Sequence, residues 1–216
     1  MSDSPQERTP LETGLAAIER LEADIVRKAA ATVQAGDPIF HAHFFLIGIV
    51  KRTLAQASGF RSLIRQKNFQ CAAAILRMQL DSAMRVNALR LVSDPSDFCR
   101  MWFNGTPINK LKSADGHKLT DYFLRTKLSE EYDWIDAVYT DASNFVHFSA
   151  RHFFTALTET NKDEMFIQLA ITAEDPPRPD KDYFEVVDAF FNATRVTGVL
   201  VLGALHSLVP QKQADV

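Results

Sequence analysis

A chain of 216 residues in which 46% are hydrophobic fits one domain and can build a large core without help from disulfides or metals. Cys71 and Cys99 are its only cysteines and form no Cys-x-x-Cys pair, which excludes a zinc ribbon or a disulfide scaffold; with no signal peptide in view they point to reduced thiols in a cytoplasmic protein. The formal charge of −3 hides a basic stretch, since residues 51 to 90 carry eight Lys and Arg against one acid, Asp81, a balance that suits a phosphate or RNA partner yet lacks the interleaved aromatics of a nucleic-acid surface.

The first nine residues are polar and read as a disordered N-terminus, residues 10 to 209 as a single helical domain, and residues 210 to 216 as a disordered tail. Thr9-Pro10-Leu11-Glu12 combines a capping hydroxyl, a first-turn proline and a capping-box glutamate, so the spacing predicts an amphipathic helix from Pro10 to about Ala35. Gly36 stops it and Asp37-Pro38 starts a second helix, charge-free from Ile39 to Val50, which Gly59 is expected to end. Residues 60 to 67 then read as a short basic turn leading to Asn68, the cap of a third helix. That helix carries apolar residues around nearly its whole circumference, with Arg77, Asp81 and Arg85 as one polar stripe at four-residue spacing. It is the helix the others must surround.

Asp94-Pro95 opens another helix. Residues 95 to 128 read as short pieces broken by Asn104-Gly105, Thr106-Pro107 and Asp115-Gly116, poor core material that suits a cap or flap over the bundle. Ser129 is expected to cap a firmer helix through Tyr139 and Phe145. Beyond His147, Phe153–Leu157 and Met165–Ile171 flank a polar turn and predict a small β-hairpin. After the proline-rich run Asp175 to Pro179, Asp180 is expected to cap a long last helix whose uncharged end, Val196 to Leu205, is either a core helix or a subunit interface. That uncharged run is shorter than the roughly 20 apolar residues a membrane span needs, so no membrane insertion is expected.

The sharpest constellation joins the Arg77, Asp81, Arg85 stripe to Ser143-Asn144-Phe145-Val146-His147-Phe148-Ser149. Ions on an oily helix need a partner or a wet cavity, and His147 near a helix end can supply a donor, an acceptor or a proton. The functional reading is a pocket where an arginine holds an anion, with Ser143, Asn144 and Ser149 beside it and His147 as acid/base; the structural reading is a network tying a loop to the helix. No metal or cofactor is expected. His41 and His43 stand roughly 200 degrees apart on a helix, and no nucleophile elbow or glycine-rich phosphate loop is present.

Arg77-x-x-x-Asp81 followed by Ser143-x-x-x-His147-x-Ser149 resembles a set of uncharacterised bacterial helical proteins, which usually carry Arg-x-x-x-Glu. The resemblance covers about residues 40 to 200 and implies a helical bundle. More distantly the chain is similar to the HEPN superfamily of helical nucleotide-binding and ribonuclease domains of defence and toxin systems. Its members place an arginine four to six residues before a histidine and cleave RNA without metal across a dimer; here no arginine lies four to seven positions before His147, and Arg151 follows it. The expectation is therefore a mainly α single-domain helical bundle with a small β-hairpin before the last helix. It would be a homodimer through the C-terminal helix that binds a small anionic ligand or partner; the rival is a metal-independent ribonuclease with Arg77 or Arg85 as the phosphate clamp.

Overall fold

The computed structural model describes residues 9–33, 39–161 and 166–208. α1 (Pro10–Thr32) starts as its capping sequence dictates: Thr9 Oγ1 accepts a hydrogen bond from the Glu12 amide at 3.3 Å and Pro10 occupies the first turn. Its apolar stripe of Leu11, Leu15, Ile18 and Ile25 is buried. The predicted stop at Gly36 and restart at Asp37-Pro38 lie outside the described residues.

α2 (His41–Arg65) does not end at Gly59 but runs through it and absorbs the predicted basic turn. The reason is contact rather than termination: a Cβ on Gly59 would lie 3.3 Å from Ile75 Cδ1 of the next helix, so the glycine lets the two backbones approach. Lys67, with φ of 55°, makes the left-handed turn that does end α2. Asn68 then caps α3 (Phe69–Asn87) by accepting from the Cys71 amide at 3.1 Å.

α3 packs against α2 on one side and, on others, α5 (Asp121–Ser129), α6 (Trp134–Val146) and α8 (Phe184–Leu208). α1 lies against α8 and α2. This is the mainly α bundle the pattern predicts, with the antiparallel hairpin β1 (Leu157–Asn161) and β2 (Phe166–Leu169) inserted before the last helix. Apolar around most of its circumference, α3 fills the centre with Leu76, Leu80, Ala83 and Met84, while Phe60 and Phe190 stack at 4.0 Å between α2 and α8. A buried polar layer crosses the same region. Gln79 donates to Thr197 at 2.9 Å, and Ser82 donates to Gln56 at 3.3 Å, which gives each amide a partner in the core, while Gln79 Oε1 and Gln56 Nε2 have none among the described residues.

Three local expectations are corrected. Residues 95 to 128 are not poor core material: α4 (Pro95–Phe103), α5 and the loop between them bury Phe98, Cys99, Leu111, Leu119, Leu124 and Leu128, because each short piece turns one apolar edge inward. Ser129 is the last residue of α5, and α6 begins at Trp134. The stretch from Phe153 is first helical, as α7 (Ala150–Ala156), because Ser149 caps it and draws the chain into a turn before β1 begins at Leu157.

Asp180 opens a 3₁₀ turn, Asp180–Tyr183, ahead of α8, and its carboxylate accepts from Lys67 Nζ at 2.6 Å. The segment Asp180–Leu208 has the length and mean hydropathy of a membrane span, yet more than half of its most apolar window is buried inside the bundle. Its uncharged end is mainly core: Val196, Leu200, Val201 and Leu205 are buried, and a Cβ on Gly198 would come within 2.7 Å of Ile25 Cδ1.

Candidate functional site

The polar stripe of α3 cannot be buried bare, and the surrounding helices supply it with partners. Arg85 pairs with Asp81 one turn back at 2.9 Å and hydrogen-bonds to Asp121 in the first turn of α5. Arg77 Nε donates to Ser143 Oγ at 3.2 Å, and its Nη2 donates to the Tyr139 hydroxyl and lies 3.6 Å from Asp121 Oδ2. The Arg77 guanidinium also lies over the Tyr139 ring, 3.6 Å from its centroid. Tyr139 and Ser143 are four apart on α6 and therefore share a face, which is how one helix offers two acceptors to one guanidinium.

Two further arginines close the cluster. Arg52 of α2 donates to Ser82 at 3.0 Å and sits 3.7 Å from Asp81; Arg125 of α5 forms an ion pair with Asp136 at 3.0 Å, without hydrogen-bond alignment, and faces the Tyr139 ring at 5.0 Å. Four guanidiniums thus meet three carboxylates. Burial works against the charge of Arg85, but Asp81 and Asp121 outweigh it and hold that guanidinium above its ordinary pKa. Burial likewise raises the Tyr139 phenol, with Arg77 opposing the rise. Both shifts favour the protonated form of the group.

Arg85, like Arg125 in the same cluster, keeps a buried nitrogen without a hydrogen bond among the described residues, but of the two only Arg85 lines a recess beside the cluster. Its Nη1 is shut off from solvent and has no hydrogen-bond partner among the described residues. The residue lines a recess of about 410 Å³ walled by Trp102 and the loop Gly105–Thr106–Pro107–Ile108–Asn109. Arg85 therefore carries unmet hydrogen-bonding capacity beside a recess it lines, but Nη1 itself is closed to water, so an acceptor reaches it only when the groups covering it shift.

The remaining residues singled out in the sequence lie elsewhere. His147 follows the last turn of α6, is exposed, and its imidazole has no hydrogen bond or ion pair among the described residues. Asn144 donates back to the Thr140 carbonyl at 3.3 Å. Ser149 donates to the Asn144 carbonyl at 2.9 Å and accepts from the Arg151 amide. Arg77, Asp81, Arg85 and Ser143 are brought together; Asn144 lies in the last turn of α6, and His147 and Ser149 belong to the link into α7. Asp121, Tyr139, Arg52 and Arg125 were missed. Tyr139 carried a signal, its four-residue spacing from Ser143, whereas Asp121 sits in a stretch whose role only the tertiary packing reveals.

Other histidines serve backbone. His43 Nδ1 accepts from the Phe40 amide at 3.1 Å and His152 Nδ1 from the Ser149 amide at 3.3 Å. No group of three His, Cys, Asp or Glu residues able to hold a metal occurs among the described residues. Comparison of the chain with family models, with curated proteins and with solved structures finds no match in any of the three.

Proposed function

We propose that the chain is a binding domain for a small anion whose oxygens accept from Arg85 in the recess beside Trp102 and the Gly105–Asn109 loop. The observation that carries this reading is the unmet hydrogen bond of Arg85 Nη1 on a guanidinium whose Nη2 Asp81 and Asp121 already fix; Nη1 is closed to solvent, so the ligand must displace the groups that cover it. Pre-set in this way, the cation loses little rotamer freedom when a ligand arrives, and the side chains of Thr106 and Asn109 offer further hydrogen bonds at the wall. Arg77, held by Ser143 and Tyr139, keeps Asp121 in place and so acts through Arg85.

The test is calorimetric titration with inorganic phosphate, citrate and adenosine monophosphate, supported by thermal denaturation. Binding of at least one probe that disappears in Arg85→Gln, with the fold retained, is expected; at a ligand concentration about a hundred times Kd the midpoint should rise by the equivalent of about 2.7 kcal/mol. Equal binding by wild type and Arg85→Gln, or silence with all three probes, counts against it. Ribonuclease action would need His147 and a guanidinium at one phosphate, and within one chain that imidazole meets neither Arg77 nor Arg85. RNA hydrolysis by purified protein that vanishes in His147→Ala would replace binding with catalysis.

A further inference from the structure

The stretch after α6 exposes its apolar side chains where the rest of the chain buries them. Phe148 and Ile171 are 96% and 90% exposed, and Phe153, Phe154, Phe166 and Ile167 are exposed as well. Every residue of β2 is exposed, so both faces of this two-stranded sheet meet water, an arrangement only marginally stable by itself. It is anchored to the body through α7, where Arg151 pairs with Asp141 of α6 at 3.1 Å and His152 meets the Phe145 ring, and through Gln70 Nε2 donating to Thr155 Oγ1 at 2.6 Å from α3. Those six side chains offer on the order of 600 Å² of apolar surface, at the upper end of what a monomer leaves uncovered and near the roughly 800 Å² each partner buries in a standard interface.

A surface suited to cover it lies on α2. Phe44, Ile47, Gly48, Lys51 and Arg52 form the exposed stripe of that helix, and Phe103 of α4 stacks on Phe44 at 5.5 Å to widen the apolar part. Charge selects the match. α2 carries no acid; its Arg61 and Arg65 are taken up by Glu22 and Glu12, while Lys51 and Arg52 stand on the exposed stripe, and on the arm Glu159 and Glu174 have no ion pair among the described residues whereas Arg151 is paired with Asp141. Lys51 has no ion pair among the described residues. An acidic apolar arm is repelled by anionic lipid and by nucleic acid and attracted to a basic apolar helix face.

We infer that α7 and the β1–β2 hairpin form a docking arm for a second copy of this chain, which seats on the exposed Phe44–Arg52 face of the partner's α2. Two copies related by a two-fold axis exchange arms, so both arms and both stripes are covered and the assembly closes. The buried area then doubles to above the roughly 1,000 Å² that marks a specific contact. The uncharged end of α8, mainly consumed within its own chain, is the poorer candidate for the interface. This inference stands apart from the ligand reading, since it uses no residue of the Arg85 recess.

Sedimentation velocity over a concentration series tests it. Wild type is expected to be a dimer, the double variant Phe148→Asp/Ile171→Asp a monomer with an unchanged circular dichroism spectrum. Lys51→Glu should raise the dimer Kd about tenfold or more, and adding Glu159→Lys to it should recover part of that loss. A zero-length carboxyl-to-amine crosslinker should join Lys51 of one copy to an acid of the other copy's arm. A wild type that stays monomeric throughout, a dimer untouched by Phe148→Asp/Ile171→Asp, or sedimentation of the monomer with phosphatidylcholine–phosphatidylserine vesicles would each overturn the inference.

Discussion

The central pair α3 and α8 and the arm formed by α7 with the hairpin are both rich in apolar residues, yet they use them in opposite ways. In α8, Val186, Val187, Phe190, Val196, Leu200 and Val201 are buried, and the polar residues among them, Thr194 and Thr197, are buried too. In the arm, Phe148, Phe154, Ile167 and Ile171 face outward. The difference lies in neighbours rather than composition: α3 and α8 each meet several helices, and the arm projects past the end of α6. Apolar content alone therefore does not locate a core. A segment contributes to monomer stability only where the chain folds other surface onto it.

The largest test of this contrast removes one ring from each region. Phe190→Ala deletes the stack on Phe60 and opens a cavity among α1, α2 and α8; a loss of about 3–5 kcal/mol is expected by urea unfolding. Phe154→Ala, measured at a protein concentration low enough to suppress self-association, should stay within about 0.5 kcal/mol of wild type. Comparable losses at both positions would abolish the distinction between core and arm.

A second test asks how tightly the central pair is packed. The missing Cβ of Gly198 lies 2.7 Å and 2.8 Å from the Cδ1 and Cγ1 atoms of Ile25, a buried and β-branched side chain with little freedom to retreat. Gly198→Ala gains helix propensity of up to about 1 kcal/mol but should still destabilise by about 1–2 kcal/mol, because overpacking wins. Trimming the neighbour sharpens the point. Ile25→Val removes the Cδ1 atom, so the double variant should be more stable than the sum of the two single losses, as read from chemical denaturation midpoints.

Much of this frame was legible in the sequence because it is encoded locally. Thr9-Pro10, Asn68 and Asp94-Pro95 cap helices where their chemistry says they should, and the nearly all-round apolar pattern of α3 gave its central position. Errors arose where one local signal has two uses. Gly59 looked like a stop and is a contact point; Ser129 looked like a cap and ends a helix; Phe153 to Leu157 has strand composition, but Ser149 upstream starts α7 first. In the site, the Arg77, Asp81, Arg85 stripe could be read from spacing. Asp121 could not, since its pairing with Arg85 joins positions 36 residues apart through packing alone.

The smallest effect concerns the two thiols, which sit on either side of the same divide. Cys71 is exposed on α3 and Cys99 is buried on the inner face of α4, where burial pushes its thiol from 9.0 up to about 12. An aromatic disulfide reagent at mild pH should therefore titrate one thiol within the mixing time of the assay and the second only as the protein unfolds. The sign of the pH dependence follows from linkage. Because the folded value lies above the unfolded one, the stability Cys99 contributes is whole below about pH 9, falls as pH rises through that value, and is gone by about pH 12. Burial also raises the phenols of Tyr139 and Tyr183, so they erode stability in the same direction. Cys99→Ala should consequently flatten the alkaline fall without removing it, whereas a curve identical to wild type would mean that the thiol on the inner face of α4 meets water, and that this edge of the core is as open as the arm.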